Sequence, residues 1–172
     1  MNAVIIQGSS RSDGNTSKIV NYLRTKIDCD VIDLSSKKIG PFEYDFKNKD
    51  DDFLTLADKI AEQYELLIFA TPVYWYSMSS TMKAFFDRLS DCLHHRKDIG
   101  YKLKGKKLAA ISCGSEEGIV EGFHVPFKNS AEYLGMTYLG YIHTWKSSTD
   151  KNDIELDPEV KKILTNFIQK LA

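Results

Sequence analysis

The sequence predicts an α/β fold: a five-stranded parallel sheet in the order 2-1-3-4-5, covered by helices on both faces as a three-layer sandwich. Three observations predict it. Apolar runs of strand length at residues 4–6, 66–70 and 108–112 alternate with stretches of helical period, as in a parallel sheet buried on both faces. A long polar loop, residues 9–17, follows the first strand and leads straight into a helix. The loops after strands one, three and four are unusual in composition. They meet on one edge, because ligands in such sheets bind beyond the carboxyl ends of the strands, where the strand order reverses.

Val4, Ile5 and Ile6 form the first strand and Gly8 ends it. From Lys18 the residues Ile19, Val20, Leu23 and Ile27 share a helix face. Residues 29–34 read as strand two, and residues 35–52, with Gly40, Pro41 and the run Asp50-Asp51-Asp52, as a long loop. Phe53, Leu56, Ala57, Ile60, Ala61 and Tyr64 mark helix two, and residues 66–70 strand three. After a polar and aromatic loop at 71–80, Met82, Phe85, Phe86, Leu89 and Leu93 mark helix three. Residues 91–107 read as a basic connector and 108–112 as strand four. Phe123, Phe127, Ala131 and Leu134 give helix four, with Pro126 in its first turn and Gly135 as its stop. Residues 137–144 are strand five, and Asp157-Pro158 open a last helix carrying Ile163, Leu164, Phe167, Ile168 and Leu171. The expectation is one domain over residues 1–172.

A hydrophobic fraction of 42% and net charge of −1 give no electrostatic case for nucleic acid or a membrane surface. Met1-Asn2-Ala3-Val4 lacks the basic-then-apolar pattern of a signal peptide, and no run reaches membrane-spanning length. Cys29, Cys92 and Cys113 are far apart and odd in number, which suits reduced thiols in the cytoplasm. His94-His95 share no helix face and have no partner at ligand spacing, so no metal site is expected.

The loop Gly8 to Ser17 is neither a Walker loop, since Asn15 stands where the lysine should follow, nor a G-x-G-x-x-G turn. It spends more residues than the 2–6 of an ordinary strand-to-helix turn. Ser9, Ser10, Thr16 and Ser17 supply hydroxyls, Arg11 a cation, and the helix start supplies unpaired N–H groups. That composition suits a phosphate monoester held without a metal. The plain alternative is a turn in which Asn15, Thr16 or Ser17 caps the helix. Tyr74, Trp75 and Tyr76 cannot all face a core from a loop; they stack on a flat ligand or seal a subunit contact. Lys83 and Asp87 read as a solvated i,i+4 pair. Cys113 reads as a small buried apolar group, His124 and His143 as structural, and Arg96 to Lys107 as a solvated basic loop within reach of an NADPH 2′-phosphate.

With these pieces in place, the chain resembles the NAD(P)H-dependent FMN reductase family of the flavodoxin-like superfamily. The matching stretches are GSSRSDGNTSKI (8–19), TPVYWYSMSSTMKAFFDRL (71–89), LKGKK (103–107) and SCGSEEG (112–118). The resemblance implies that Ser9, Arg11, Asn15, Thr16 and Ser17 bind the FMN phosphate. It implies that Pro72, Val73, Tyr74 and Trp75 contact the ring and that Gly114 and Ser115 form a third flavin-side loop. It further implies NADPH or NADH as co-substrate and a homodimer or homotetramer with the flavin near the subunit contact. Related iron–sulfur flavoproteins carry a cysteine cluster after strand two; residues 35–52 have none. Met78-Ser79-Ser80 stand where many members have Pro or Gly. The expected chemistry is hydride transfer from NAD(P)H to bound flavin and then reduction of a small acceptor: a quinone, a flavin, an azo or nitro compound, or a metal oxyanion. The cofactor carries the hard step, so no catalytic side chain is expected. The alternative is a flavodoxin-type electron carrier, against which the near-zero net charge counts; a flavin-free protein of the same fold is a third reading.

Overall fold

The computed structural model describes residues 1–118, 121–145 and 155–171. Strands β1 (Ala3–Gln7), β2 (Cys29–Asp33), β3 (Leu66–Tyr74), β5 (Lys107–Gly114) and β6 (Thr137–Trp145) form the parallel sheet, and β4 (Ser77–Met78) pairs antiparallel with β3. The order is β2-β1-β3-β5-β6, so the five parallel strands follow the expected 2-1-3-4-5. The sheet has six strands rather than five because β3 folds back on itself through the β4 hairpin.

Alternation along the strands splits the core in two. Val4, Ile6, Leu67, Phe69, Leu108 and Ala110 face one cluster, completed by α2 (Asp52–Gln63), α3 (Ser80–His94), α4 (Lys97–Leu103) and α5 (Val125–Tyr133). Ile5, Ile68, Ala70, Ala109 and Ile111 face the other, built with α1 (Asn15–Arg24) and α6 (Pro158–Leu171). Asp157 Oδ1 accepts from Glu159 N–H at 2.7 Å, so the expected cap of α6 is formed. Pro126 lies in the first turn of α5, and Gly135 follows it with φ 69°.

Three expectations are corrected. α1 starts at Asn15 rather than Lys18 and is finished by Thr25, which leaves Ile27 beyond the helix. β3 continues past Ala70 because β5 continues beside it, pairing Thr71 with Ser112 and Pro72 with Cys113. The basic connector contains helix α4, whose Ile99 and Leu103 are buried one turn apart. Lys102 of α4 pairs with Asp58 and Glu62 of α2. Lys107 opens β5 at the amino edge of the sheet, the end opposite the loops that gather at the carboxyl edge.

Residues 37–51 are held by one buried cation. Arg88 on α3 is 1% exposed and its guanidinium bonds Asp51, Asp91, Gly40 O and Asn48 O. Burial alone would raise the Asp51 carboxyl, but hydrogen bonds from Arg88 and the Gly40 and Phe53 N–H groups, with the Arg88 charge, hold it below the usual range.

Candidate functional site

The carboxyl edge is tied together by backbone-directed bonds. Gly8 N–H donates to Ala70 O at 2.8 Å, and Ser79 Oγ donates to Gly8 O at 2.6 Å. Ser79 also caps α3 by accepting from Met82 N–H at 3.0 Å, while its own N–H donates to Thr71 Oγ1 at 3.1 Å. A β-carbon on Gly8 would lie 2.8 Å from Met82 Cβ. Glycine at that point is what lets α3 close on the end of β1. The loops after β1 and β3 thus share one rigid base.

Loop one ends on Gly14, the N-cap of α1, where no side chain caps the helix. By contrast α2 is capped by Asp51 and α3 by Ser79. The first N–H groups of α1, on Asn15 and Thr16, have no intrahelical acceptor by helix geometry. Arg11 folds over this end: a β-carbon on Gly14 would sit 3.7 Å from Arg11 Nη2 and 3.8 Å from Nε. Ser9 and Thr16 are buried beside it. Ser17 differs from its expected role. Its hydroxyl donates to Ser12 O at 2.6 Å and accepts from Gln7 Nε2 at 2.9 Å, and its N–H bonds Gly14 O at 3.0 Å. Both its donors are committed, so Ser17 braces the loop from beneath instead of offering a donor to a ligand.

The second loop is a tight hairpin. Tyr74 pairs with Ser77, which leaves Trp75 and Tyr76 as the two turn residues, with φ 48° and 64°. Two-residue hairpin turns of this sign normally take Asn-Gly, because side chains other than Asn, Asp and Gly are disfavoured there. Trp75 is 93% exposed and Tyr76 75%. Tyr74 turns the other way and its hydroxyl meets Ser10 Oγ at 2.9 Å, joining the hairpin to loop one.

The third loop follows β5 and is anchored from β6. His143 Nε2 lies 2.9 Å from Glu116 O, so that nitrogen donates. Ser112 Oγ lies 2.7 Å from His143 Nδ1 and 2.6 Å from the Tyr141 hydroxyl, within hydrogen-bond reach of both. A β-carbon on Gly114 would lie 2.9 Å from His143 Cε1, so glycine is required for the imidazole to reach the loop. Burial raises the Tyr141 phenol against the lowering effect of its Ser112 bond, and pushes the Cys113 thiol up to about 11.

Between hairpin and third loop lies an open groove of about 740 Å³, within the range of small-molecule sites. Val73, Trp75, Gly114 and Ser115, four of the residues that the resemblance places beside the flavin, line it. Pro72 is instead buried in β3 opposite Cys113, and Tyr74 serves the link to Ser10. Tyr76, the third aromatic of the run, also lines the groove, as do Glu116, Glu121 and His143, which carry no site reading in the sequence. For Tyr76 the signal was present, since it adjoins Trp75. His143 carried none: it lies far from the loop in sequence and reaches it only through β5–β6 pairing.

A doubly wound parallel sheet in this order, with an arginine beside an uncapped helix start and an aromatic groove at its carboxyl edge, is a flavodoxin-like fold. The family model for NADPH-dependent FMN reductases matches residues 1–146, and the chain belongs to that family. It is 30% identical over 152 residues, 83% of each chain, to YwqN of Bacillus subtilis, whose assigned name is that of an NAD(P)H-dependent FMN-containing oxidoreductase. Among solved structures, the Trp repressor binding protein of Bacillus subtilis superposes with TM-score 0.75 at 24% identity, covering 97% of both chains. General stress protein 14 of Treponema denticola, solved in complex with FMN, superposes with TM-score 0.67 at 16% identity over the full length of both. Family membership makes the chain an oxidoreductase of the NAD(P)H–FMN class.

Proposed function

We propose that the chain binds FMN across the carboxyl edge of its sheet and uses NAD(P)H to reduce a small acceptor: a quinone, a free flavin, an azo or nitro compound, or a metal oxyanion. The observation that carries this reading is the start of α1, a buried helix end with a glycine cap, no capping side chain, and a guanidinium folded over it. Such an end favours an anion by its free N–H donors and the positive end of the helix dipole. Arg11, with the N–H groups of Asn15 and Thr16 and the hydroxyls of Ser9 and Thr16, would hold the phosphate. Val73, Trp75, Gly114 and Ser115 would flank the ring in the groove, while Pro72 and Tyr74 fix the hairpin and Ser17 the loop. When bound, FMN supplies the hydride-accepting centre. The residues bind, orient and shield it.

The same reading takes residues 1–172 as one flavin-binding domain, cytoplasmic, and a homodimer or homotetramer. All three cysteines are free, which suits a reducing compartment. A groove between α3 and α5, lined by Phe86, Leu89, Leu93 and Tyr133, suits an apolar subunit contact. No described helix is long and apolar enough to cross a membrane.

The test is a pair of titrations. Arg11→Ala removes one charge-assisted bond, worth about 1.5–3 kcal/mol, so FMN affinity should fall about 10- to 150-fold while riboflavin affinity stays within about twofold. Equal losses for both ligands would place the phosphate elsewhere. NAD(P)H oxidation by the flavin-loaded protein, with menadione as acceptor, checks the activity.

A further inference from the structure

The groove has a sign. Its charged lining among the described residues consists of Glu116 and Glu121, with no lysine or arginine. Its aromatic lining, Trp75 and Tyr76, is held outward on a two-residue turn, so both rings are presented rather than packed away. Arg11 belongs to the loop after β1 and is not part of this lining. Resting on the flavin-reductase reading above, we infer that the site selects planar aromatic acceptors without negative charge, neutral or cationic quinones above all, and disfavours sulfonated aromatics and metal oxyanions.

The physical reason is the distance of charge from the reacting ring. A small sulfonated quinone carries its charge on the ring itself and must bring it into the groove that the two glutamates line. NAD(P)H is also anionic, but its charges lie on phosphates at least a ribose away from the nicotinamide. The aromatic pair rewards flatness by stacking, and a ring carrying positive charge gains further from the π faces and the carboxylates. A tetrahedral oxyanion gains from neither. Both glutamates are exposed, so each acts through a water-like dielectric. At about 6 Å that is about threefold in a binding ratio per carboxylate, and about tenfold for the two together. The overall step is NAD(P)H + H⁺ + quinone → NAD(P)⁺ + hydroquinone. The donor gives two electrons and a proton as hydride, and solvent gives the second proton.

The experiment compares 1,4-naphthoquinone with its 2-sulfonate on the flavin-loaded protein. The neutral-to-sulfonated ratio of kcat/KM is measured for the wild type, Glu116→Gln/Glu121→Gln and Glu121→Lys. Comparing proteins cancels the intrinsic reactivity of each quinone. The ratio should fall about tenfold in the double variant, and Glu121→Lys should favour the sulfonate over the neutral compound relative to wild type. Dissociation constants of the two quinones by calorimetry should move in parallel without turnover. In the wild type the ratio should also shrink at about 1 M salt, where exposed charges are screened beyond about 3 Å. A ratio unchanged within twofold across the three proteins, with FMN bound and NAD(P)H oxidised, overturns this inference alone. A protein that binds no FMN overturns the proposed function and this inference with it.

Discussion

Replacing Arg88 tests what holds residues 37–51 to the body of the protein. The guanidinium is 1% exposed, bonds two carboxylates and two backbone carbonyls, and lies 4.8 Å from the Phe53 ring centroid. Arg88→Met fills most of the volume but strands Asp91, which is 2% exposed and whose Oδ1 has no hydrogen-bond partner even with the arginine present. Removing one partner of a buried ion pair costs about 3–5 kcal/mol. For a chain of this length each kcal/mol lowers Tm by about 2–4 °C, so Tm should drop by about 6–20 °C in a thermal scan followed by circular dichroism at pH 7. The exposed pair Lys83–Asp87, with side chains 57% and 45% accessible, is the control. Lys83→Ala should move Tm by less than about 4 °C, because exposed pairs contribute at most about 1 kcal/mol. Arg88→Met with Asp91→Leu should recover part of the loss, since the stranded carboxylate is gone. A drop under about 2 °C for Arg88→Met alone would refute the view that this cation, and not the surrounding apolar contacts, fastens the segment.

Three further outcomes follow from the same geometry. Gly100→Ala should destabilise by about 1–3 kcal/mol despite alanine's better helix propensity, because the new β-carbon would lie 2.5 Å from Cys92 O; urea unfolding midpoints read this directly. The carboxyl of Asp51 is held low in the folded state, so its contribution is fully present above its unfolded pKa of about 3.9 and is lost as pH falls through its lower folded value; Tm measured from pH 7 down to about 2 should decline less steeply in Asp51→Asn. Replacing Trp75 with Asn and Tyr76 with Gly should raise Tm by relieving two disfavoured backbone conformations, about 1 kcal/mol or more each, while weakening FMN or quinone binding in a calorimetric titration.

The sheet order and the gathering of the three loops at its carboxyl edge were legible because both follow from elements with strong periodicity. The runs around Ile5, Ile68 and Ala109 have no polar interruption, and a parallel sheet needs that. The cap pair Asp157-Pro158 and the Gly135 stop were legible from local chemistry alone. Helix α4 was hidden by composition: Arg96, Lys97, Lys102 and Lys104 mask the spacing of Ile99 and Leu103, and Gly100 reads as a breaker. Its reason is tertiary, the close approach to Cys92 O. Arg88 stands next to Asp87 of an exposed pair, and nothing local marks it as buried; its partner Asp51 is distant in sequence. Ser17 had the right residue type for a phosphate donor, but its neighbours Gln7 and Ser12 had first claim on its hydroxyl. Side-chain identity was readable; competition for each hydrogen was not.

The β3–β4 hairpin shows why its sequence failed to announce it and what that failure means. An Asn-Gly turn would close the same hairpin with less strain. Here two large aromatics occupy the turn with positive φ, and 93% and 75% of their surfaces face solvent. Neither burial nor local propensity favours that choice. What offsets it is the pairing of Val73 with Met78 and Tyr74 with Ser77, and the Tyr74–Ser10 bond to loop one. The strain is thus sustained by contacts that also fasten the hairpin to the arginine-hooded helix start. A flexible loop could display the same rings, but each would lose rotational freedom on meeting a ligand. Holding the turn rigid removes part of that loss in advance. The position least favourable to the fold is therefore the one that gives the groove its stacking wall.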